Sequence, residues 1–399
     1  MLGVRCLSAR FKKIMEKNKV KKIVFLTGTR ADFGKIKSLL SILQTSKKFE
    51  THIFVTGMHL NPKYGETVRE IEKCGLPNIY KFINHSEYAG QDAILSETIR
   101  GFSNFIKSLQ PDLIVVHGDR VEALGGALVG SLNNILVAHI EGGEISGSID
   151  EHIRHAISKL SHLHFVSNQE AQRRLLQMGE RKETIFIIGS PEIDAINSPH
   201  LPKWPEVKKH YNVPFDDFAL LMFHPVTTDL ANFSSYTNQL VETLLESNMN
   251  YVAVYPNNDP GTDVILNAYQ KHFSQHPRFA LYPSLRFEHF LTMLKNTRFV
   301  IGNSSAGVRE APYYGTPTIN IGNRQNGRVK VGAVKSIKHC DYSKEAISAA
   351  IKAVTNSTMK HRQTRHFGNA GSDKKFLDIL LNQNIWGIKA QKQFLDIDF

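Results

Sequence analysis

The chain has 399 residues, 41% of them apolar, enough for two domains that each bury their own core. No apolar run is long enough to span a bilayer, and three widely spaced cysteines (Cys6, Cys74 and Cys340) offer neither a disulfide framework nor a CxxC zinc site. The net charge of +12 favours an anionic partner, but the basic residues are scattered without an aromatic-studded stripe, so no nucleic-acid partner is expected.

Residues 1–20 form a basic extension. Their apolar run is too short for a secretory signal; a transit peptide, an extended start and a surface helix all stay open. The cysteine usage fits a cytoplasmic protein, with no membrane contact. Continuous apolar strands then alternate with helical patterns. The strands are expected at 22–28 (KIVFLTG), 51–59, 112–119, 135–144, 162–168 and 184–191, with helices such as 33–44 and 97–109 between them. This pattern predicts a parallel sheet covered on both faces. A proline-bearing connector, 201–218, leads into a second series of strands at 219–226, 250–257, 279–284, 299–305 and 317–323. The expected architecture is α/β: two Rossmann-like domains, 21–200 and 201–375, facing across a cleft. A last segment, 376–399, starts as a helix and packs back on the body.

Polar residues gather where the predicted strands end, which is where open α/β sheets bind ligands. GTRADFGK (28–35) is a strand-to-helix turn. Its free amides and Arg30 suit a phosphate, and the plain alternative is a tight turn with Asp32 as helix N-cap. GNSSAG (302–307) repeats this logic in the second half. Asn303, Ser304, Ser305 and Gly307 suit a diphosphate, and Glu310 suits ribose hydroxyls; a serine N-cap with a solvated Glu310 is the bland reading. His224 follows a strand end and can touch phosphate, shuttle protons or be structural. Asn257, Asn258 and Asp259 form a turn that matters only if the base is read there.

The sharpest feature is acidic. Asp119, Glu141, Glu144 and Asp150 all follow strand ends within 117–165. Asp119 and Glu141 are expected on neighbouring strands. Two close carboxylates push each other's pKa values apart, predicting one base and one acid near neutral pH. Asp150 also reads as a helix N-cap, with Arg154 and Lys159 on the exposed face. The 18 histidines show no HExxH spacing and fall in different elements, so no metal site is expected.

With HGDRVEAL, HIEGGEISGSIDEHIRHAISKLSH, GSPEID, MFHPVTT, YPNND and GNSSAGVREAPYYGTP followed by NRQNGR, the chain resembles the hydrolysing UDP-N-acetylglucosamine 2-epimerases over roughly 22–395. The resemblance implies a GT-B-like fold, no metal, no nicotinamide or other cofactor, and a homodimer or homotetramer. The helix faces at 97–109 and 155–163 are candidate interfaces. It implies elimination of UDP from UDP-GlcNAc, then hydration of a 2-acetamidoglucal to N-acetylmannosamine, the first step toward sialic acid. On that resemblance Asp119, Glu141 and Asp150 are the catalytic carboxylates. Arg30, Arg120, His224, Asn257, Ser304, Ser305, Gly307, Glu310 and Arg324 meet the nucleotide, and His59 and Glu144 lie toward the sugar. The alternatives are the same chemistry on a diacetamido-trideoxy sugar nucleotide or GDP-GlcNAc, a non-hydrolysing epimerase, and a GT-B glycosyltransferase.

Overall fold

The computed structural model describes residues 19–85, 90–330, 332–356 and 363–396. The basic extension at 1–20 lies almost wholly outside them. Every expected strand is present, and each ends earlier than its expected range. The first sheet holds β1 (Lys21–Thr27), β2 (Phe49–Val55), β3 (Ile79–Lys81), β4 (Leu113–His117), β5 (Leu136–Ile140), β6 (Leu163–Val166) and β7 (Ile185–Ile187), in the order β3-β2-β1-β4-β5-β6-β7. The second holds β8 (Ala219–Met222), β9 (Tyr251–Val254), β10 (Phe279–Tyr282), β11 (Val300–Gly302), β12 (Thr318–Ile321) and β13 (Ile337–Cys340), in the order β10-β9-β8-β11-β12-β13. Both sheets are parallel and doubly wound, so each has a crevice where the strand order reverses. Two edge strands escaped the sequence reading. β3 (IYK) and β13 (IKHC) are short, with partly exposed residues, so neither makes a continuous apolar run.

The alternation along a strand sends neighbouring residues to opposite layers. Ile23 and Phe25 of β1 pack under the helix Arg30–Leu43, while Val24 and Leu26 pack under the helix Gln91–Leu109. The C-terminal helix Ser372–Asn382 returns to the first sheet. Its Phe376 meets Phe165 edge-on at 4.7 Å, and it shares the core beneath β1 with Leu380. The helix faces proposed for subunit contact are spent inside the first domain. Phe102, Ile106 and Ile157 belong to its core, so the sequence-based interface does not stand. Among the described residues, no helix is long and apolar enough to cross a membrane.

The strand ends are trimmed because the chain turns there. β11 stops at Gly302, whose φ is +133°. A Cβ there would meet the carbonyl oxygen of Met222 at 2.0 Å. Gly302→Ala is therefore expected to destabilise the protein by about 1–3 kcal/mol, the cost of a strained backbone position. Chemical denaturation would show this, and an unchanged midpoint would argue against it.

Candidate active site

The two sheets present their C-terminal ends to one cavity of about 280 Å³. On the first wall, Thr29 caps the helix Arg30–Leu43 and Asp32 sits at its third position, not at the cap as expected. The carboxylate of Asp32 accepts the N–H groups of Gly28 (3.0 Å) and Thr29 (3.1 Å). Those amides are thus already used, and the turn is not a bare anion nest. What it offers instead is Arg30, which lines the cavity. One nitrogen of Arg30 donates to Glu70 at 2.7 Å; its Nε and Nη1 are buried with no hydrogen-bond partner among the described residues. His59 does not line the cavity. It lies beneath the loop, 3.0 Å from the Thr27 hydroxyl and 2.6 Å from that of Thr67, and supports Asp32 from behind.

On the second wall, Ser304 caps the short helix Ser305–Arg309, and both serines line the cavity. Gly307 does not. A Cβ at 307 would sit 2.6 Å from the Thr318 side chain, so this glycine serves to press the helix onto β12. Glu310 lines the cavity and is buried, not solvated, because the helix breaks there. His224 accepts the N–H of Asn257 on Nδ1 (3.1 Å), which leaves the proton on Nε2. Burial, with help from Arg324, pushes its pKa down to about 3. His224 is therefore a neutral donor at ordinary pH and not a proton shuttle. Asn257 also lines the cavity, and Arg324 reaches Asp150 at 3.2 Å. Arg120 spans the cleft: it donates to Asp259 at 3.0 Å and to Asn258 at 2.5 Å. The 257–259 turn is thus a latch between the domains.

The carboxylates stand where β4 and β5 end side by side. His117 and Ile140 are paired in register, and the chain then turns at Gly118 (φ +73°) and at Glu141 itself (φ +72°). A left-handed glutamate is costly and holds only where its surroundings over-determine it. Those surroundings are three cations and the His117 ring. Glu141 lies 3.0 Å from Arg309, 3.0 Å from His117, 3.4 Å from Lys35 and 3.7 Å from Arg328. Asp119 pairs with Arg154 and lies 3.7 Å from Arg328. Asp150 is at the second position of the helix Ile149–Leu160, behind the cap Ser148, whose hydroxyl donates to it at 2.9 Å. Glu144 is not on the cavity wall; it is buried against Arg309 and the Ser167 hydroxyl.

This overturns the expected split of pKa values. Burial works to raise both carboxyls, but Arg154 and Arg328 hold Asp119 below its ordinary value, and Arg309 and Lys35 hold Glu141 well below. Four buried carboxylates (Glu141, Glu144, Glu192 and Glu310) and the half-buried Asp119 meet four cations (Lys35, Arg154, Arg309 and Arg328). The group left short is Glu310. Its pKa is raised by burial, which the nearest cation, Lys35 at 3.7 Å, does not fully offset. For depressed carboxyls the linkage sign is fixed: their stabilisation is complete above the ordinary values of 3.8 and 4.5 and is lost as pH falls through the folded values. Melting temperatures are accordingly expected to decline from about pH 6.5, where the unfolded chain begins to protonate His224, which the fold keeps neutral, and to collapse below about pH 4, where the carboxyls lose their charge.

Lys35, Arg309 and Arg328 were not singled out in the sequence, and Arg154 was placed on an exposed face. Arg154 is fully buried. It stands four residues after Asp150, one helical turn further on the same face, and that spacing was the available signal. Lys35 and Arg309 each sit among apolar neighbours on a packed helix, the pattern of a buried ion pair. Among the described residues no group of His, Cys, Asp and Glu is arranged to hold a metal ion.

Two doubly wound domains with nucleotide-type turns on one wall and counter-charged carboxylates on the other define a GT-B-like two-domain fold. The family described as UDP-N-acetylglucosamine 2-epimerase matches residues 41–381, and the chain belongs to it. It is 44% identical over 381 residues to the UDP-N-acetylglucosamine 2-epimerase of Neisseria meningitidis serogroup B, covering 95% of this chain and 100% of that one. It is 32% identical over 367 residues to the UDP-N,N'-diacetylbacillosamine 2-epimerase (hydrolyzing) of Legionella pneumophila, covering 90% and 96%. It is 34% identical over 322 residues to the polysialic acid biosynthesis protein P7 of Escherichia coli, covering 79% and 82%. Among solved structures, it shares its fold with a Neisseria meningitidis UDP-GlcNAc 2-epimerase bound to UDP-GlcNAc (TM-score 0.78, 18% identity, 90% of this chain and 99% of that one). The Methanocaldococcus jannaschii enzyme in complex with UDP-GlcNAc and UDP is similar as well (TM-score 0.77, 23% identity, 90% and 99%).

Proposed function

We propose that the protein is a hydrolysing UDP-N-acetylglucosamine 2-epimerase, turning UDP-GlcNAc and water into N-acetylmannosamine and UDP on the way to sialic acid. The observation that carries this reading is the division of labour across the cavity. Ionised carboxylates, Asp119 and Glu141, face the neutral donors His224, Ser304 and Ser305 across it, and Arg30 adds a cation from the carboxylates' own wall. In this reading residues 21–200 supply proton chemistry and Arg30, 201–375 hold most of UDP, and 376–399 brace the first half.

The reaction has two steps. In the first, a carboxylate takes the C2 proton, a C1=C2 double bond forms, and the C1–O bond breaks with its electron pair leaving on UDP. The C2 proton is weakly acidic, so the rate depends on a positioned base and a stabilised leaving group. Asp119 or Asp150 handles C2. The unpartnered nitrogens of Arg30, the Nε2–H of His224 and the two serine hydroxyls receive the diphosphate charge as it develops. In the second step water adds to the 2-acetamidoglucal, its hydroxyl to C1 and a proton to C2 on the opposite face, which gives the manno configuration. Glu141, ionised by its cations, draws the proton from that water.

The Legionella relative motivates a second reading, the same chemistry on a diacetamido-trideoxy sugar nucleotide. A panel of UDP-GlcNAc, UDP-diacetamido-trideoxy-glucose and GDP-GlcNAc, compared by kcat/KM, decides between them. The first is expected to be preferred; preference for another would move the assignment to it. Activity only with an added acceptor sugar would instead indicate a glycosyltransferase.

A further inference from the structure

Arg309 ends the helix that Ser304 and Ser305 begin, so it is carried by the nucleotide-binding turn of the second domain. Yet its guanidinium is fully buried against the first domain. It lies 3.0 Å from Glu141 and 2.6 Å from Glu192, pairs with Glu144, and stacks 4.4 Å from the Phe367 ring. A planar fork fixes the orientation of a carboxylate in a way that an ammonium does not. Buried ion pairs contribute little net stability, and their best-attested use is to set register between packed elements. The other groups facing Glu141 are Lys35 and His117 from the first domain, Arg328 from the second, and the like charges Asp119, Glu144, Glu192 and Glu310. Arg309 is the nearest of those that the second domain brings.

We propose that Arg309 is a positioning residue that ties the nucleotide-binding turn to Glu141, so that Glu141 is set for chemistry only when that turn is docked against the first domain. Glu141 reaches its working orientation through a group it shares with Glu144 and Glu192. Any displacement of the turn therefore withdraws a cation and an orienting fork together. This rests on the reading above, in which Glu141 acts in the hydration step.

Arg309→Gln and Arg309→Lys in the full-length enzyme test it. Turnover of UDP-GlcNAc is followed against pH, with UDP affinity by calorimetry and a thermal melt for each variant. Arg309→Gln is expected to lower kcat by about 100-fold, the scale of a small misplacement at a reacting centre. It should also move the acid limb of the pH profile upward, because Glu141 loses a cation that keeps it ionised. Arg309→Lys keeps the charge, so the limb returns toward its original position while the rate stays reduced. UDP affinity is expected to stay within about threefold in both. An acid limb unmoved in a folded, UDP-binding Arg309→Gln variant would overturn the proposal. If that variant does not fold, Arg309→Lys decides alone: a wild-type rate would overturn the proposal, and a reduced rate with UDP affinity kept would support it. Wild-type protein inert toward UDP-GlcNAc would overturn the functional reading and this proposal with it.

Discussion

Asp119→Asn is expected to lower turnover of UDP-GlcNAc by about 10²- to 10⁴-fold, the range supplied by a positioned general acid or base. Its half-buried carboxylate stands just past the end of β4 and lines the cavity, with Arg154 and Arg328 keeping it ionised. The amide keeps the shape and loses the ability to take a proton. The groups assigned to UDP lie mostly on the other wall, so UDP affinity is expected to change by less than about threefold. Steady-state rates and UDP calorimetry on the same preparation separate the two effects. Glu141→Gln and Asp150→Asn are expected to behave alike. A near-normal rate in any of the three would remove that residue from the chemistry.

The largest loss of stability is expected from Arg154→Leu. Arg154 has no exposed surface; besides Asp119 it holds the Glu144 carbonyl at 3.1 Å and the Ser146 hydroxyl at 3.4 Å. Removing it leaves the half-buried Asp119 with only the longer contact to Arg328. Breaking one side of a fully buried pair costs about 3–5 kcal/mol, and the loss here is expected near the lower end because Asp119 keeps some contact with water. The cost arises because the charge that remains has given up most of its water and now loses its nearest partner. The double variant Asp119→Leu with Arg154→Leu is therefore expected to recover much of the stability and none of the activity. Urea unfolding of the single and double variants checks this. Strictly additive losses would show that the two side chains do not act as a pair.

The parallel strands were legible because both faces are covered and their apolar runs are unbroken, as in β4 and β5. The short edge strands β3 and β13 were not, because edge residues alternate with solvent and leave no such run. The strand ends were placed too late throughout. The residues that close each expected range, such as Gly118–Asp119, belong to turns whose backbone angles a hydropathy pattern does not carry. The carboxylates were legible as a group, since strand ends in an open sheet converge on one crevice. Their ionisation was not. A sequence places Asp119 beside Glu141 and suggests repulsion, while the cations that settle the matter are brought in by folding: Arg154 and Lys35 from other helices of the first domain, and Arg309 and Arg328 from across the cleft. Gly307 and His59 show the opposite error. Both sit in site-like motifs, yet one packs a helix on a strand and the other supports a turn.

The most direct test follows UDP-GlcNAc with the purified protein in D2O by proton NMR, with nothing else added. Elimination and hydration predict free N-acetylmannosamine carrying deuterium at C2, formed together with UDP. UDP-N-acetylmannosamine as the product would contradict hydrolysis, and N-acetylmannosamine retaining its C2 proton would contradict elimination.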